Sequence, residues 1–455
     1  MNLDIELQEN SDRPVYRLIA SQLAEKIRKG ELAVGTRLPN HRSLAAQLRV
    51  AVGTVSRAYQ ELQAANLLVS GPGRGTFVSG NRDAPAGSEE VIDLRNYSAA
   101  TNYFSQELAS TLMELAANPS ALPSSYKSSQ GPLADREAGA LWLERTSGAA
   151  VAPENIVITN GVQHALLCCL GSLLKAGDFV ITESLTYPGL MATAEFLGLK
   201  LCGVEIDHEG FVPEALAGAL RNSAVKAVVT VPRLHNPTTA CASPSRRKDL
   251  LEIFSRFDGY VLEDDVYGCF LGPSQELYFN HLDERAILLS SLSKGLAPSL
   301  RVGYAALKSE RIQEVVRGVR ASAWMAPPIS VLVASKMIHS GSAFRILNQN
   351  SRELSIRNRV AMRIFGEDQI SGIPNGPHVW VRLPQPWSME KFLVGCLKRG
   401  VQVQPASEFA LTRTADQQSF RVNIGAARSV RDLETALSKL LELMERGPSS
   451  LDTFA

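Results

Sequence analysis

From Ile92 onward, short apolar runs alternate with longer stretches of helical periodicity. The runs are Ile156-Val157-Ile158, Phe179-Val180-Ile181, Ala227-Val228-Val229-Thr230-Val231, Tyr260-Val261-Leu262, Ile287-Leu288-Leu289 and Val302-Gly303-Tyr304-Ala305-Ala306. Runs this short and apolar read as buried strands. Strands spaced by helices predict an α/β domain with a mostly parallel sheet, whose ligands sit beyond the carboxyl ends of the strands. The chemistry-bearing residues of this region gather at those ends.

The first run leads into Thr159-Asn160-Gly161-Val162-Gln163-His164, a glycine turn opening a helix. Its backbone N–H groups can cradle a phosphate, although such a turn also serves as plain capping. The second leads to Tyr187-Pro188-Gly189, an aromatic at a rigid turn, and the third to His235-Asn236-Pro237-Thr238-Thr239. The fourth leads to Glu263-Asp264-Asp265-Val266-Tyr267. A carboxylate just past a buried strand is costly unless paired. A protonated pyridine nitrogen is one partner, and a helix N-cap is the competing reading for Asp264 or Asp265. The fifth ends in Ser290-Ser291-Leu292-Ser293-Lys294, with Arg301 seven residues beyond the lysine. A lysine at a strand mouth can be partly desolvated, which lowers its pKa and makes it a Schiff-base former. Serine hydroxyls and an arginine beside it suit a phosphate. Taken alone, Ser-x-x-Lys fits an ordinary surface lysine, and Arg421 fits a strand arginine as well as a carboxylate clamp.

At 455 residues the chain is too long for one ordinary domain. An apolar fraction of 45% and a charged fraction of 20% fit a globular protein with ample core. No apolar run has the length of a membrane span, and the N-terminus, Met1-Asn2-Leu3-Asp4-Ile5-Glu6, lacks the pattern of a signal peptide. The six cysteines are scattered without Cys-x-x-Cys, which suits reduced thiols and a cytoplasmic location. The dispersed histidines make no metal spacing.

The first eighty residues differ in character. Val15 to Lys29 reads as a helix through Ile19, Leu23 and Ile27, with Gly30 to end it. A short helix follows over Leu38–Leu48, with Asn40 as a plausible N-cap. A third buries Val55, Ala58 and Leu62 and leaves Thr54, Ser56 and Arg57 near its exposed start. Then Leu67–Val78 holds two β-type runs around a glycine-rich turn carrying Arg74, a hairpin wing. This order predicts an α+β winged helix-turn-helix. Between residues 37 and 80 stand five arginines (37, 42, 49, 57 and 74) against one acid, Glu61, a local charge of +4 where the whole chain carries +1. Such a face is the footprint of phosphate binding, while a protein-interaction module with a solvated basic face is the plainer reading. Ser79–Glu90, polar and small, reads as a flexible linker. The expected division is thus a DNA-binding domain at 1–79, a linker at 80–91, and an effector and dimerisation domain at 92–455.

Gly35-Thr36-Arg37-Leu38-Pro39-Asn40-His41-Arg42, Thr54-Val55-Ser56-Arg57-Ala58-Tyr59 and Gly73-Arg74-Gly75-Thr76-Phe77-Val78 resemble the winged helix-turn-helix of the GntR family. The resemblance implies that Arg42, Thr54, Ser56, Arg57, Arg74 and Gly75 contact a double-stranded DNA operator. The usual Gly-Val-Ser-Arg turn is here Arg49-Val50-Ala51-Val52. Residues 92–445 resemble the fold-type I, class I/II aminotransferases through Asn-Pro-x-x, Asp-x-x-Tyr and Ser-x-x-Lys with its later arginine. That resemblance implies pyridoxal 5′-phosphate as cofactor, with Lys294 as the aldimine lysine and Asp264 on the pyridine nitrogen. It puts Asn236 and Tyr267 on the phenolic oxygen and Tyr187 against the ring. Ser291, Arg301 and the backbone of Gly161, Val162 and Gln163 would hold the phosphate, and Arg421 a ligand carboxylate. Tyr126 would reach the partner subunit's site in a head-to-tail homodimer. The family's Asn-Pro-x-Gly ends here in Thr239, and His164 replaces a commoner glutamine. The two halves together look like the MocR subfamily of bacterial regulators. This implies a transcription factor that senses pyridoxal 5′-phosphate, or a small amine or amino acid, at Lys294. An aminotransferase whose DNA-binding head is secondary is the alternative.

Overall fold

The computed structural model describes residues 5, 15–28, 32, 36, 38–64, 68–71, 75–78, 91–98, 103–308, 310–366, 368–412 and 418–448. The chain divides into two compact units, Met1–Ser88 and Glu89–Ala455, and the division falls within the polar segment 79–90. That segment, Lys29, Arg37 and the wing tip with Arg74 lie outside the described residues.

In the small unit, helices α1 (Val15–Arg28), α2 (His41–Leu48) and α3 (Val52–Ala64) precede a two-stranded hairpin, β1 (Leu68–Gly71) and β2 (Gly75–Val78). Asn40 caps α2 through Oδ1, which accepts from Ser43 N at 2.8 Å. Ile19, Leu23, Leu44, Val55, Ala58 and Leu62 form the core, as their spacing predicts. Arg49 ends α2 in the left-handed conformation, φ 53°, where the usual turn has glycine.

The large unit is built on a seven-stranded sheet: β4 (Ile156–Thr159), β5 (Phe179–Glu183), β6 (Lys200–Val204), β9 (Val225–Thr230), β10 (Tyr260–Asp264), β11 (Ala286–Ser291) and β12 (Gly303–Leu307). A short hairpin, β7 (Ile206–Asp207) with β8 (Gly210–Phe211), lies between β6 and β9 in the chain. The spatial order is β4-β12-β11-β10-β9-β5-β6. All pairings are parallel except those of β12, which runs antiparallel to both neighbours. Helices cover both faces, which is why the strands read as continuous apolar runs. A second, antiparallel sheet has the order β13 (Ile370–Ser371), β14 (Val379–Arg382), β17 (Ser419–Val422), β16 (Gln404–Pro405). Finally β3 (Ile92–Asp93) pairs in parallel with β15 (Val401–Gln402). Among the described residues no helix is long and apolar enough to cross a membrane.

Candidate functional site

The carboxyl ends of β4, β5, β9, β10 and β11 converge on a cavity of about 370 Å³. Its lining includes Val162, Gln163, Tyr187, Asn236, Asp264, Tyr267, Ser291, Lys294, Arg301 and Arg421. Apart from Arg421, which lies within β17, these are the residues that the strand ends singled out, drawn from segments far apart in the chain.

Lys294 sits in a four-residue helical turn, Leu292–Gly295, that leaves β11 at the Ser291 cap. Its Nζ lies 5.0 Å from the ring centre of Tyr97 and 5.5 Å from that of Tyr267. Burial, then the charge of Arg421, pulls its pKa down to about 8. Near neutrality a useful fraction of the amine is therefore unprotonated and nucleophilic. Tyr97 donates its hydroxyl to the Lys294 carbonyl at 2.6 Å, and Asn350 Nδ2 donates to the next carbonyl at 2.9 Å. The turn that carries the amine is thus fixed from two sides.

Asp264 ends β10 and makes no ion pair among the described residues, and its Oδ1 accepts only from Val266 N at 3.1 Å. Burial drives its carboxyl up to about 7. Asp265, its twin in sequence, turns away and pairs with the buried Arg233 at 3.2 Å. The structure thereby separates two carboxylates that residue type alone left equivalent.

At the other end of the cavity, Gly161 opens the helix Val162–Leu173 with φ 80° and no side-chain cap, leaving first-turn N–H groups for an anion. Arg301 donates from Nη2 to the Asn160 carbonyl at 2.7 Å. Ser291 Oγ accepts from Ser293 N at 3.3 Å, and the buried Ser293 Oγ has no partner among the described residues. Arg421 is buried, with Nη1 donating to Asn236 Oδ1 at 2.6 Å and Nη2 to the Arg95 carbonyl at 2.6 Å and to Gln404 Oε1.

An unpaired buried carboxylate, a desolvated amine and an uncapped helix start flanked by arginine and serine fit one kind of molecule. They suit the pyridine nitrogen, the aldehyde and the phosphate of pyridoxal 5′-phosphate. Tyr97, Gln404 and Phe409 also line this cavity and carried no sequence signal, and Ser293, one of the serines singled out beside Lys294, lines it too. Tyr126 does not line it; 78% exposed, it packs on Trp324 at 5.3 Å between ring centres.

In the small unit Arg42 and Arg57 are exposed, and Thr54 and Ser56 half-buried. The Arg57 guanidinium lies over the Tyr16 ring at 4.4 Å. Ser56 Oγ is 2.9 Å from His41 Nδ1, which ties the start of α3 to α2. Gly75 opens β2.

A fold-type I sheet, with a lysine, an aspartate and an uncapped helix start beside an arginine at its strand ends, defines a pyridoxal-phosphate-type domain. Residues 97–440 match the family aminotransferase class I and II, and the chain belongs to it. Residues 15–78 match the gntR family of bacterial regulatory proteins, and the two together make the MocR architecture. The chain is 27% identical to YdeF of Bacillus subtilis, an uncharacterised HTH-type transcriptional regulator, over 96% of each chain. Among solved structures it resembles an archaeal alanine:glyoxylate aminotransferase, with TM-score 0.72 and 24% identity over 87% of this chain and 95% of that one. It also resembles the α-aminoadipate aminotransferase LysN of Thermus thermophilus, solved with N-(5′-phosphopyridoxyl)-L-leucine. There the TM-score is 0.69 and the identity 22%, over 79% and 93% of the two chains.

Proposed function

We propose that this chain is a DNA-binding transcriptional regulator whose pyridoxal 5′-phosphate site serves as the sensor. One observation carries the reading. A site with the donor set for that cofactor shares a chain with a helix-turn-helix unit that exposes Arg42 and Arg57. The regulator name of its full-length relative supports it. Bound pyridoxal 5′-phosphate supplies an aldehyde with which a lysine or a ligand amine can condense. Lys294 provides the amine, and burial keeps part of it neutral. Asp264 would hold the pyridine nitrogen protonated, Asn236 and Tyr267 would bond the phenolic oxygen, and Tyr187 would cover the ring. Ser291, Arg301 and the Gly161–Gln163 backbone would take the phosphate, and Arg421 the carboxylate of an amino-acid effector. Arg42, Thr54, Ser56, Arg57, Arg74 and Gly75 would contact the operator.

A head-to-tail homodimer belongs to this reading. In that dimer Tyr126, which is exposed and does not line its own chain's cavity, would reach the second subunit's site. Gel shifts on the protein's own upstream DNA, with cofactor-free, loaded and Lys294→Ala protein, test the regulator. Identical binding and transcription in all three would sink it.

The aminotransferase alternative rests on Lys294, Asp264, Tyr267 and Arg421 all facing one cavity. Sustained turnover of about 1 per second or more with an amino donor and a keto acid would favour it.

A further inference from the structure

The Arg421 guanidinium has five N–H donors: one on Nε and two on each Nη. Both hydrogens of Nη2 already have acceptors, the Arg95 carbonyl at 2.6 Å and Gln404 Oε1. A carboxylate bound in fork geometry takes either both Nη atoms or Nε together with Nη2. Both forks need Nη2. A bidentate carboxylate therefore has to displace the Arg95 carbonyl or the Gln404 side chain.

Both acceptors belong to one patch. Arg95 follows β3, and Gln404 lies two residues beyond the Gln402 that pairs with Asp93 in the β3–β15 ladder. Ile92 N donates to the Gly400 carbonyl at 2.7 Å, Leu94 N to the Gln402 carbonyl at 2.9 Å, and Asn423 N to the Leu94 carbonyl at 2.8 Å. β3 is also the first described strand after the segment 79–90 that joins the two units. The turn that directly follows this strand is thus hydrogen-bonded, through the Arg95 carbonyl, to the arginine expected to bind the effector.

We propose that a ligand carboxylate on Arg421 loosens the β3–β15 patch and so passes occupancy of the site to the linker. The proposal rests on the cofactor and regulator reading above. Ligands with the same amine but no carboxylate would fill the site without sending the signal.

Two reduced probes isolate the carboxylate: N-(5′-phosphopyridoxyl)-L-alanine and N-(5′-phosphopyridoxyl)-ethylamine, which differ only in that group. Hydrogen exchange of the Ile92 and Leu94 amides is measured in the full chain saturated with each, alongside affinity for the upstream DNA. The alanine adduct is expected to speed exchange at least tenfold over the ethylamine adduct and to shift the DNA Kd at least threefold. Arg421→Lys, which lacks the planar fork, is expected to erase both differences. Equal exchange with both adducts bound would overturn the proposal, as would an exchange difference with no change in Kd. Failure of both adducts to bind would remove the cofactor reading, and absence of DNA binding in every state the regulator reading. Either would take this proposal with it, and each is distinguishable from a failure of the coupling alone.

Discussion

Arg301 fills the space that a side chain on Gly161 would need. A Cβ built on Gly161 would fall 2.8 Å from Arg301 Nη2, at a backbone φ of 80° that L side chains rarely adopt. Gly161→Ala is therefore expected to push the Arg301 guanidinium away from the helix start proposed to hold the phosphate. Affinity for pyridoxal 5′-phosphate should fall about tenfold or more, a loss of about 1.4 kcal/mol. A fluorescence titration with the cofactor checks it. Unchanged affinity would mean that the phosphate is held elsewhere.

The Asp264 carboxyl rises from an ordinary 3.8 to about 7 because it is buried, which outweighs the Val266 N–H and the charge of Lys294. In the cofactor-free protein the unfolded chain releases this proton first. The contribution of Asp264 is thus least harmful below about pH 4, and stability is lost as pH rises through about 7. Asp264→Asn removes that slope, so the variant should gain on the parent between about pH 4 and 7 and hold the gain above. Urea unfolding followed by tryptophan fluorescence measures it. Trp142, Trp324, Trp380 and Trp387 are all in the large unit, so the signal reports that unit alone.

Strand ends made Lys294 and Asp264 legible in the sequence, because a buried strand announces itself by its apolar run and the next residues must face the ligand. The contacts that fix those residues left no local trace. Tyr97 meets the Lys294 carbonyl across 197 residues, and Asn350 meets the Gly295 carbonyl across 55. Nothing near either residue signals the encounter, since it is created when segments distant in the chain pack against the turn that follows β11. Gln404 was hidden in the same way, its amide meeting Arg421 only because β16 pairs with β17.

Thr239 stands where the Asn-Pro-x-Gly pattern has glycine, and the backbone keeps the glycine conformation, φ 65°. A β-branched residue in that region is strained by about 1–2 kcal/mol. Glycine's greater unfolded-state entropy takes back about 0.5–1 kcal/mol. Thr239→Gly should therefore stabilise the large unit by up to about 1 kcal/mol. Denaturant midpoints at constant m-value test this. A destabilised variant would show that packing of the buried threonine outweighs the strain.

Arg42 and Arg57 are exposed on consecutive helices of the small unit. If each neutralises one phosphate, each alanine variant should weaken DNA binding and lower the slope of log K against log salt by about 1. Loss of affinity with the slope unchanged would instead implicate the packing of Arg57 on Tyr16.

His164 replaces the commoner glutamine beside the proposed phosphate cradle and keeps an acceptor there. Asn160 N donates to its Nδ1 at 3.1 Å, so in the neutral ring Nε2 carries the proton, 2.8 Å from Ser322 Oγ. Asn160 in turn offers its carbonyl to Arg301. Burial, then the charge of Arg301, holds the His164 pKa below its ordinary value. A group whose folded pKa is depressed stabilises the fold above its unfolded pKa, about 6.5, and loses that contribution as pH falls through the folded value. Once protonated, Nδ1 can no longer accept from Asn160, and the cradle loses its support. Thermal stability and cofactor affinity of the parent should therefore drop together on acidification below about pH 6.5. His164→Gln retains an amide acceptor that does not titrate, and its stability and affinity should vary less over that range. A parallel acid decline in both proteins would assign the loss to other groups, and His164→Ala should be weaker than either at neutral pH.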